Sequence, residues 1–144
     1  MRTQQRSAEE PVTNYSLTAR DIMQVEIAAI LGDATITEAA AQMRLEGVRS
    51  LVIVPRGPAD PYAIITFSDI VNKVLAFGHD PDSMHVHQVM TKPLITIPPD
   101  MQVEYIARLF SQSRIGHAPV MDCGELLGIV SMTDLVTEVI TEKV

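Results

Sequence analysis

A chain of 144 residues, 47% of them hydrophobic, is long enough for one compact domain or for two small halves that share a core. The formal charge of −7 and the pI of about 4.9 argue against general attraction to nucleic acid or anionic lipid, so neither is an expected partner. The longest apolar runs, such as Leu51–Val54, are too short for a bilayer span, and a lone cysteine, Cys123, excludes an internal disulfide; the expectation is a soluble, cytoplasmic protein.

Taken in order, residues 1–16 carry no apolar stretch of the secretory kind and read as a flexible polar tail. "AAIL" (Ala28–Leu31) is a short strand. Thr35 and Glu38 have the spacing of a capping box, and Ile36, Ala39, Ala40 and Met43 mark the buried side of the helix that follows. "LVIV" and "YAIIT" (Tyr62–Thr66) form a hairpin across the loop Pro55–Pro61, and a helix runs from about Ser68 to Phe77. A linker, residues 79–84, then leads to "LITI" (Leu94–Ile97), a short β-run. The next helix starts near Asp100, with Met101, Tyr105, Ile106, Leu109 and Phe110 inward. "HAPVM" (His117–Met121) is a strand that Pro119 interrupts, which predicts a free edge there. "DCGE" turns the chain at Cys123, "LLGIV" (Leu126–Val130) pairs back, and a helix ends the sequence.

The order strand, helix, strand, strand, helix has now appeared twice. At an offset of 67, Asp33 faces Asp100, Ile36 faces Val103, and "DIM" (Asp21–Met23) faces "QVM" (Gln88–Met90). Beyond the longer first loop the offset becomes 65, and Ile70, Val71, Val74 and Leu75 match Leu135, Val136, Val139 and Ile140 as one helical face. Residues 17–78 and 85–144 are therefore two copies of one α/β unit. Each copy is marginal alone, so the two should bury their sheets against each other across a pseudo-twofold axis.

The last strand-to-helix junction is repeated most clearly: "TFSD" with Thr66, Ser68 and Asp69, then "SMTD" with Ser131, Thr133 and Asp134. Two readings compete. In one, the hydroxyl and the carboxylate three residues later are a capping box. In the other, the helix N-terminus and hydroxyls hold a phosphate, and the carboxylate accepts hydrogen bonds from a ribose diol. A small-residue strand such as "GHAPV" (Gly116–Val120) would let a flat base approach.

With these motifs the chain resembles the cystathionine-β-synthase (CBS) domain family, as a tandem pair, over roughly Thr18 to Ile140. The marks are "DIM", "QVMTKPLITIPPD", "RIGHAPVMD", "GELLGIVSMTDL" and the weaker "AIITFSDI". The resemblance implies the β-α-β-β-α fold, a two-repeat (Bateman) module with a cleft on each side, and dimerisation of modules. It also implies an adenosine-containing ligand (AMP, ADP, ATP or S-adenosylmethionine) and no required cofactor, with Mg²⁺ an optional companion of ATP. Residue by residue, it makes Asp134 the ribose-binding aspartate with Ser131 and Thr133 beside it, and gives Asp69, Thr66 and Ser68 those parts in the first copy. Thr91 and Ile95 would line the base, next to Gly116, His117, Ala118 and Pro119. Ala63 stands where the family has Gly, and Ser50 and Val52 stand opposite His117 and Pro119, which predicts a weaker first site.

The remaining candidates are thin. His85 and His87, with His79 nearby, lack a Cys or carboxylate at ligand spacing, so no metal is expected. Arg49 and Arg114 occupy nearly equivalent places after the first helix of each copy. No Walker loop, G-x-G-x-x-G or nucleophile elbow is present. The expectation is a regulatory, ligand-sensing homodimer rather than an enzyme, with a protein-interaction adaptor as the first alternative and a nucleotide-acting enzyme as the second.

Overall fold

In the computed structural model, residues 11–92 and 95–142 are described. The elements in chain order are β1 (Pro11–Thr13), α1 (Ala19–Ile22), β2 (Ala29–Ile30), α2 (Ile36–Glu46), β3 (Ser50–Ile53), β4 (Ala63–Thr66), α3 (Phe67–Lys73), α4 (Val86–Val89), α5 (Val103–Ser113), β5 (His117–Asp122), β6 (Glu125–Ser131), α6 (Met132–Val139) and β7 (Ile140–Glu142). A 3₁₀ turn, Leu75–Phe77, follows α3. No helix among the described residues is long and apolar enough to cross a membrane.

The capping box predicted for α2 forms: the Glu38 N–H donates to Thr35 Oγ1 at 3.1 Å, and the Thr35 N–H donates to Glu38 Oε1 at 3.3 Å. The hairpins form as the alternation of strand and turn signals requires. β3 and β4 pair antiparallel with Ser50 opposite Thr66, and β5 and β6 pair with His117 opposite Ser131. The β5–β6 turn places Cys123 at φ 51° and Gly124 at φ 79°. Positive φ at both central positions is the conformation that matches strand twist in a two-residue hairpin.

Contacts divide the chain into two compact units that do not follow the repeats. One comprises the described residues of Met1–Val25 and Ile95–Val144, the other those of Glu26–Leu94. In the first unit, the Gln24 N–H donates to Ile129 O at 2.9 Å and the Ile129 N–H donates back to Gln24 O at 3.1 Å, adding Gln24 to the outer edge of β6. In the second, Ile64 and Thr91 exchange the same two bonds at 2.8 Å, adding Thr91 to the edge of β4. Gln24 and Thr91 follow "DIM" and "QVM", so each repeat's sheet is extended by the segment that begins the other repeat. The cores are completed in the same way. Ala19 and Ile22 of α1 pack with Ile97, Ile106, Phe110 and Val130, while Val86 and Val89 of α4 pack with Ile36, Met43, Leu51 and Ile65. Fully burying one such aliphatic side chain contributes roughly 1.5–3 kcal/mol.

Several expectations need correction. Pro11–Thr13, read as tail, form β1 and pair antiparallel with β7, Pro11 opposite Glu142; residues 1–10 lie outside the described residues. The "LITI" strand reduces to a parallel bridge between Ile97 and Val120, with Leu94 outside the described residues. The edge expected to be free at Pro119 is occupied there: the Ile97 N–H donates to Pro119 O and the Met121 N–H donates to Ile97 O, both at 2.9 Å. Pro119 serves as acceptor in this pairing, so its missing N–H is not required. The α5 helix starts at Val103 rather than near Asp100, and Tyr105 points outward beneath the Arg108 guanidinium, 5.4 Å from its ring centroid. Ala40 is likewise exposed. The shared apolar face of the last helices splits in two: Ile70, Val74, Leu135 and Val139 are buried, while Val71, Leu75, Val136 and Ile140 are exposed. Adjacent positions diverge by about 100° around a helix, so a stripe two residues wide exceeds what one sheet covers.

Gly128 marks the tightest point of this arrangement. A Cβ there would lie 2.8 Å from both the Gln24 carbonyl oxygen and Met23 Sδ, whereas one on Gly116 would meet nothing within 4 Å. Overpacking against backbone costs typically 1–3 kcal/mol. Gly128→Ala is therefore expected to lower the unfolding free energy by about that amount, and Gly116→Ala to stay within about 0.5 kcal/mol of the parent, as read by urea denaturation.

Candidate functional site

Each repeat ends its hairpin by running straight into a helix, and the junction holds a carboxylate. In the first unit, Ser131 is the last residue of β6 and the N-cap of α6. The Asp134 N–H donates to Ser131 Oγ at 3.1 Å, and Asp134 Oδ2 accepts from the Ser131 N–H at 2.9 Å and from its hydroxyl at 2.8 Å. The Met132 N–H donates to Gly116 O at 2.9 Å, which fastens the helix start to the strand carrying His117. Asp134 is buried, with 7% relative exposure. Its other oxygen, Oδ1, accepts from Gln24 Nε2 at 3.0 Å.

The second unit repeats the pattern with one addition. Asp69 Oδ2 accepts from the Thr66 N–H at 3.0 Å and from its hydroxyl at 3.2 Å, and the Asp69 N–H donates to Thr66 Oγ1 at 3.2 Å. Oδ1 accepts from Thr91 Oγ1 at 2.9 Å and also forms an ion pair with Lys73 Nζ at 3.2 Å. The ammonium is held there by donating to Val89 O at 3.0 Å and Thr91 Oγ1 at 3.1 Å. The Phe67 N–H donates to Arg49 O at 3.2 Å, the bond that Met132 makes to Gly116. Arg49 thus corresponds to Gly116 in the fold. Arg114, expected to be its near-equivalent, is instead the left-handed C-cap of α5 at φ 54°, a role that Gly47 fills after α2.

Thr66, Asp69 and Thr91 therefore meet, as do Ser131 and Asp134, with His117 in register with Ser131. The half-buried Ile95 lies two residues before the Ile97 bridge to β5. Thr133 is exposed, and Ser68 is exposed with its Oγ accepting from Asn72 Nδ2 at 3.1 Å. Ala118 and Pro119 are buried, and Ala118 belongs to the core. Gln24 and Lys73 contact the carboxylates but were missed in the sequence. The signals were present: Gln24 stands 67 positions before Thr91, and Lys73 stands one helical turn after Asp69. Gly128 faces Met23 and Gln24, so the Gly-to-Ala difference at Ala63 bears on packing of the added segment. The His85 and His87 rings stack 5.7 Å apart, and among the described residues no group of three or more His, Cys, Asp or Glu is placed to hold a metal.

The two carboxylates differ in how an amide can replace them. At position 134, an introduced amide NH₂ can be met by the Gln24 carbonyl after that side chain turns over. At position 69 it would face the Lys73 ammonium, which cannot accept. Asp134→Asn is expected to cost about 0.5–1 kcal/mol and Asp69→Asn about 1–3 kcal/mol, both measured by thermal or urea unfolding at neutral pH.

The CBS domain family matches the chain twice, over residues 19–76 and 86–141. A protein of Methanopyrus kandleri, MK0525, is 38% identical over 102 residues, covering 70% of this chain and 52% of that one, so the chain spans about half of that relative. The CBS domain-containing protein YhcV of Bacillus subtilis is 31% identical over 116 residues, 81% of each chain. Among solved structures, a hexameric CBS-CP12 protein from bloom-forming cyanobacteria superposes with a TM-score of 0.81 at 44% identity, covering 87% of this chain and 69% of the other. Two matched domains, the paired sheets and the capped carboxylates agree: the chain belongs to the CBS-domain family, as a tandem pair of CBS repeats.

Proposed function

We propose that this protein is a regulatory sensor that binds an adenosine-containing ligand of the AMP, ADP or ATP class. The observation that carries the reading is Asp134. It is a buried carboxylate at a helix N-terminus, with its cap hydroxyl on one side and His117 across the hairpin. A ribose diol supplies the two O–H donors that such a carboxylate accepts, and a phosphate would meet the positive end of α6 and the exposed Thr133 hydroxyl. Binding shifts the populations of conformers only through differential affinity, and a partner protein would read that shift.

A second feature favours association. Phe67, Val71 and Leu75 form an exposed i, i+4, i+8 row, and Met132, Val136 and Ile140 form the same row at repeat-equivalent positions. Exposed apolar rows of this kind mark contact surfaces. They support homo-oligomerisation, and they equally suit an adaptor that docks on another protein. The cyanobacterial neighbour, itself hexameric, supports self-association.

Three measurements test these readings. A ligand binding only the folded state at about 100 times its dissociation constant adds about 2.7 kcal/mol, so a thermal-shift panel of AMP, ADP, ATP, NAD and S-adenosylmethionine should show a rise of several degrees for an adenosine ligand. By calorimetry, Asp134→Asn should then weaken binding roughly tenfold to a hundredfold, and Asp69→Asn should leave the tight site nearly unchanged. No shift with any compound leaves the adaptor reading. Light scattering should give a dimer or larger assembly at micromolar concentration; a monomer with and without nucleotide contradicts the association.

A further inference from the structure

The two carboxylates are not equally available, and the difference lies in what the added segments place on them. Among the described residues, Asp134 has three donors: the Ser131 N–H, the Ser131 hydroxyl and the Gln24 amide. Asp69 has the same two from Thr66, a hydroxyl from Thr91 where Asp134 has Gln24, and then the Lys73 ammonium. A carboxylate offers about four acceptor positions. Asp69 is filled, its fourth donor being a half-exposed ammonium that the Val89 carbonyl and the Thr91 hydroxyl also engage. Among the described residues no donor takes the fourth acceptor position of Asp134, on Oδ1, and the neutral amide beside it sits at the end of a rotatable side chain.

From this we infer that Gln24 and Lys73 set ligand occupancy: Gln24 is a displaceable latch on Asp134, and Lys73 is an intramolecular occupant that closes Asp69. The inference rests on the proposed adenosine-ligand reading and adds which site is used and what is expelled. A diol donates two hydrogen bonds. At Asp134 the first takes the remaining position and the second replaces the Gln24 amide, so the charge-assisted bonds are exchanged rather than lost. At Asp69 a diol would have to displace an ammonium, leaving that charge without its carboxylate. Ligand arrival at Asp134 also releases Gln24, whose backbone pairs with Ile129 on β6. Occupancy is thereby reported to the opening segment of the first repeat, which offers a route from ligand to partner.

The test is calorimetric titration of AMP into the full-length parent, Gln24→Ala and Lys73→Met, with thermal unfolding as the folding control and Lys73→Gln in reserve if the Met variant does not fold. The parent should bind one AMP per chain. Removing the competing amide should tighten binding roughly threefold to tenfold in Gln24→Ala. Lys73→Met leaves Asp69 with the three donors that Asp134 has, and should raise the stoichiometry to two, the added site being the weaker. In the parent, the Gln24 side-chain amide resonance should shift on AMP addition, a signal that a purely structural role would leave in place. Unchanged or weaker AMP binding in Gln24→Ala, with the parent still binding, overturns the latch. A single site in the folded Lys73 variants, or two sites in the parent, overturns the role of Lys73. If neither the parent nor Gln24→Ala binds AMP, ADP or ATP in the same titration, the ligand reading itself fails, and the inference with it.

Discussion

The structure depends on a pair of backbone exchanges: Gln24 with Ile129 and Thr91 with Ile64. Each is a short antiparallel bridge at the edge of a hairpin, and each brings a one-turn helix with it. Helices of four residues, such as α1 and α4, have no stability of their own, because nucleation costs more than one turn returns. They persist because Ala19 and Ile22 in one case, and Val86 and Val89 in the other, are buried in the core beneath the sheet that they extend. Halves of about sixty residues bury too little surface to be secure alone. Borrowing the opening segment of the other repeat widens the sheet and enlarges the core together.

The same exchange reaches the carboxylates. The residue that closes the sheet edge in each unit also donates a side-chain hydrogen bond to the capping aspartate, amide to Asp134 and hydroxyl to Asp69. The helix cap, the sheet edge and the candidate ligand group therefore form one hydrogen-bonded assembly. At the level of atoms, the cap and the proposed ligand role do not compete for the same oxygen. Oδ2 of each aspartate makes the cap, and Oδ1 faces the added segment, so one carboxylate has the means for both tasks. Lys73 then separates the two copies, since nothing in the first unit puts a cation on Asp134 among the described residues.

Much of this was legible in the residues. The offsets of 67 and 65 identified the repeat, the capping boxes at Thr35, Thr66 and Ser131 were each where their spacing put them, and both hairpins formed. The errors share a cause. Tyr105, Val71 and Val136 are apolar positions beside a buried row, and sequence periodicity of 3.6 does not say how wide a stripe the neighbouring sheet covers. Pro11–Thr13 resembled a tail because three residues carry no period; their pairing with Ile140–Glu142 joins positions more than 120 apart. Pro119 suggested an open edge, but an acceptor is all that Ile97 asks of it.

The sequence by itself determined the local structure of each repeat and the identity of the capping residues, because turns, caps and hairpin registers are set by groups a few positions apart. It also determined the family, since duplicated motifs in a fixed order survive without knowledge of their contacts. Only the tertiary structure decided which segment completes which sheet, why Gly128 tolerates no side chain, and what occupies the second oxygen of each aspartate. Those outcomes come from residues as far apart as Gln24 and Asp134. A contact over that separation is specified by the packing of one core built from distant segments, and packing is a property of the folded unit rather than of any stretch of sequence.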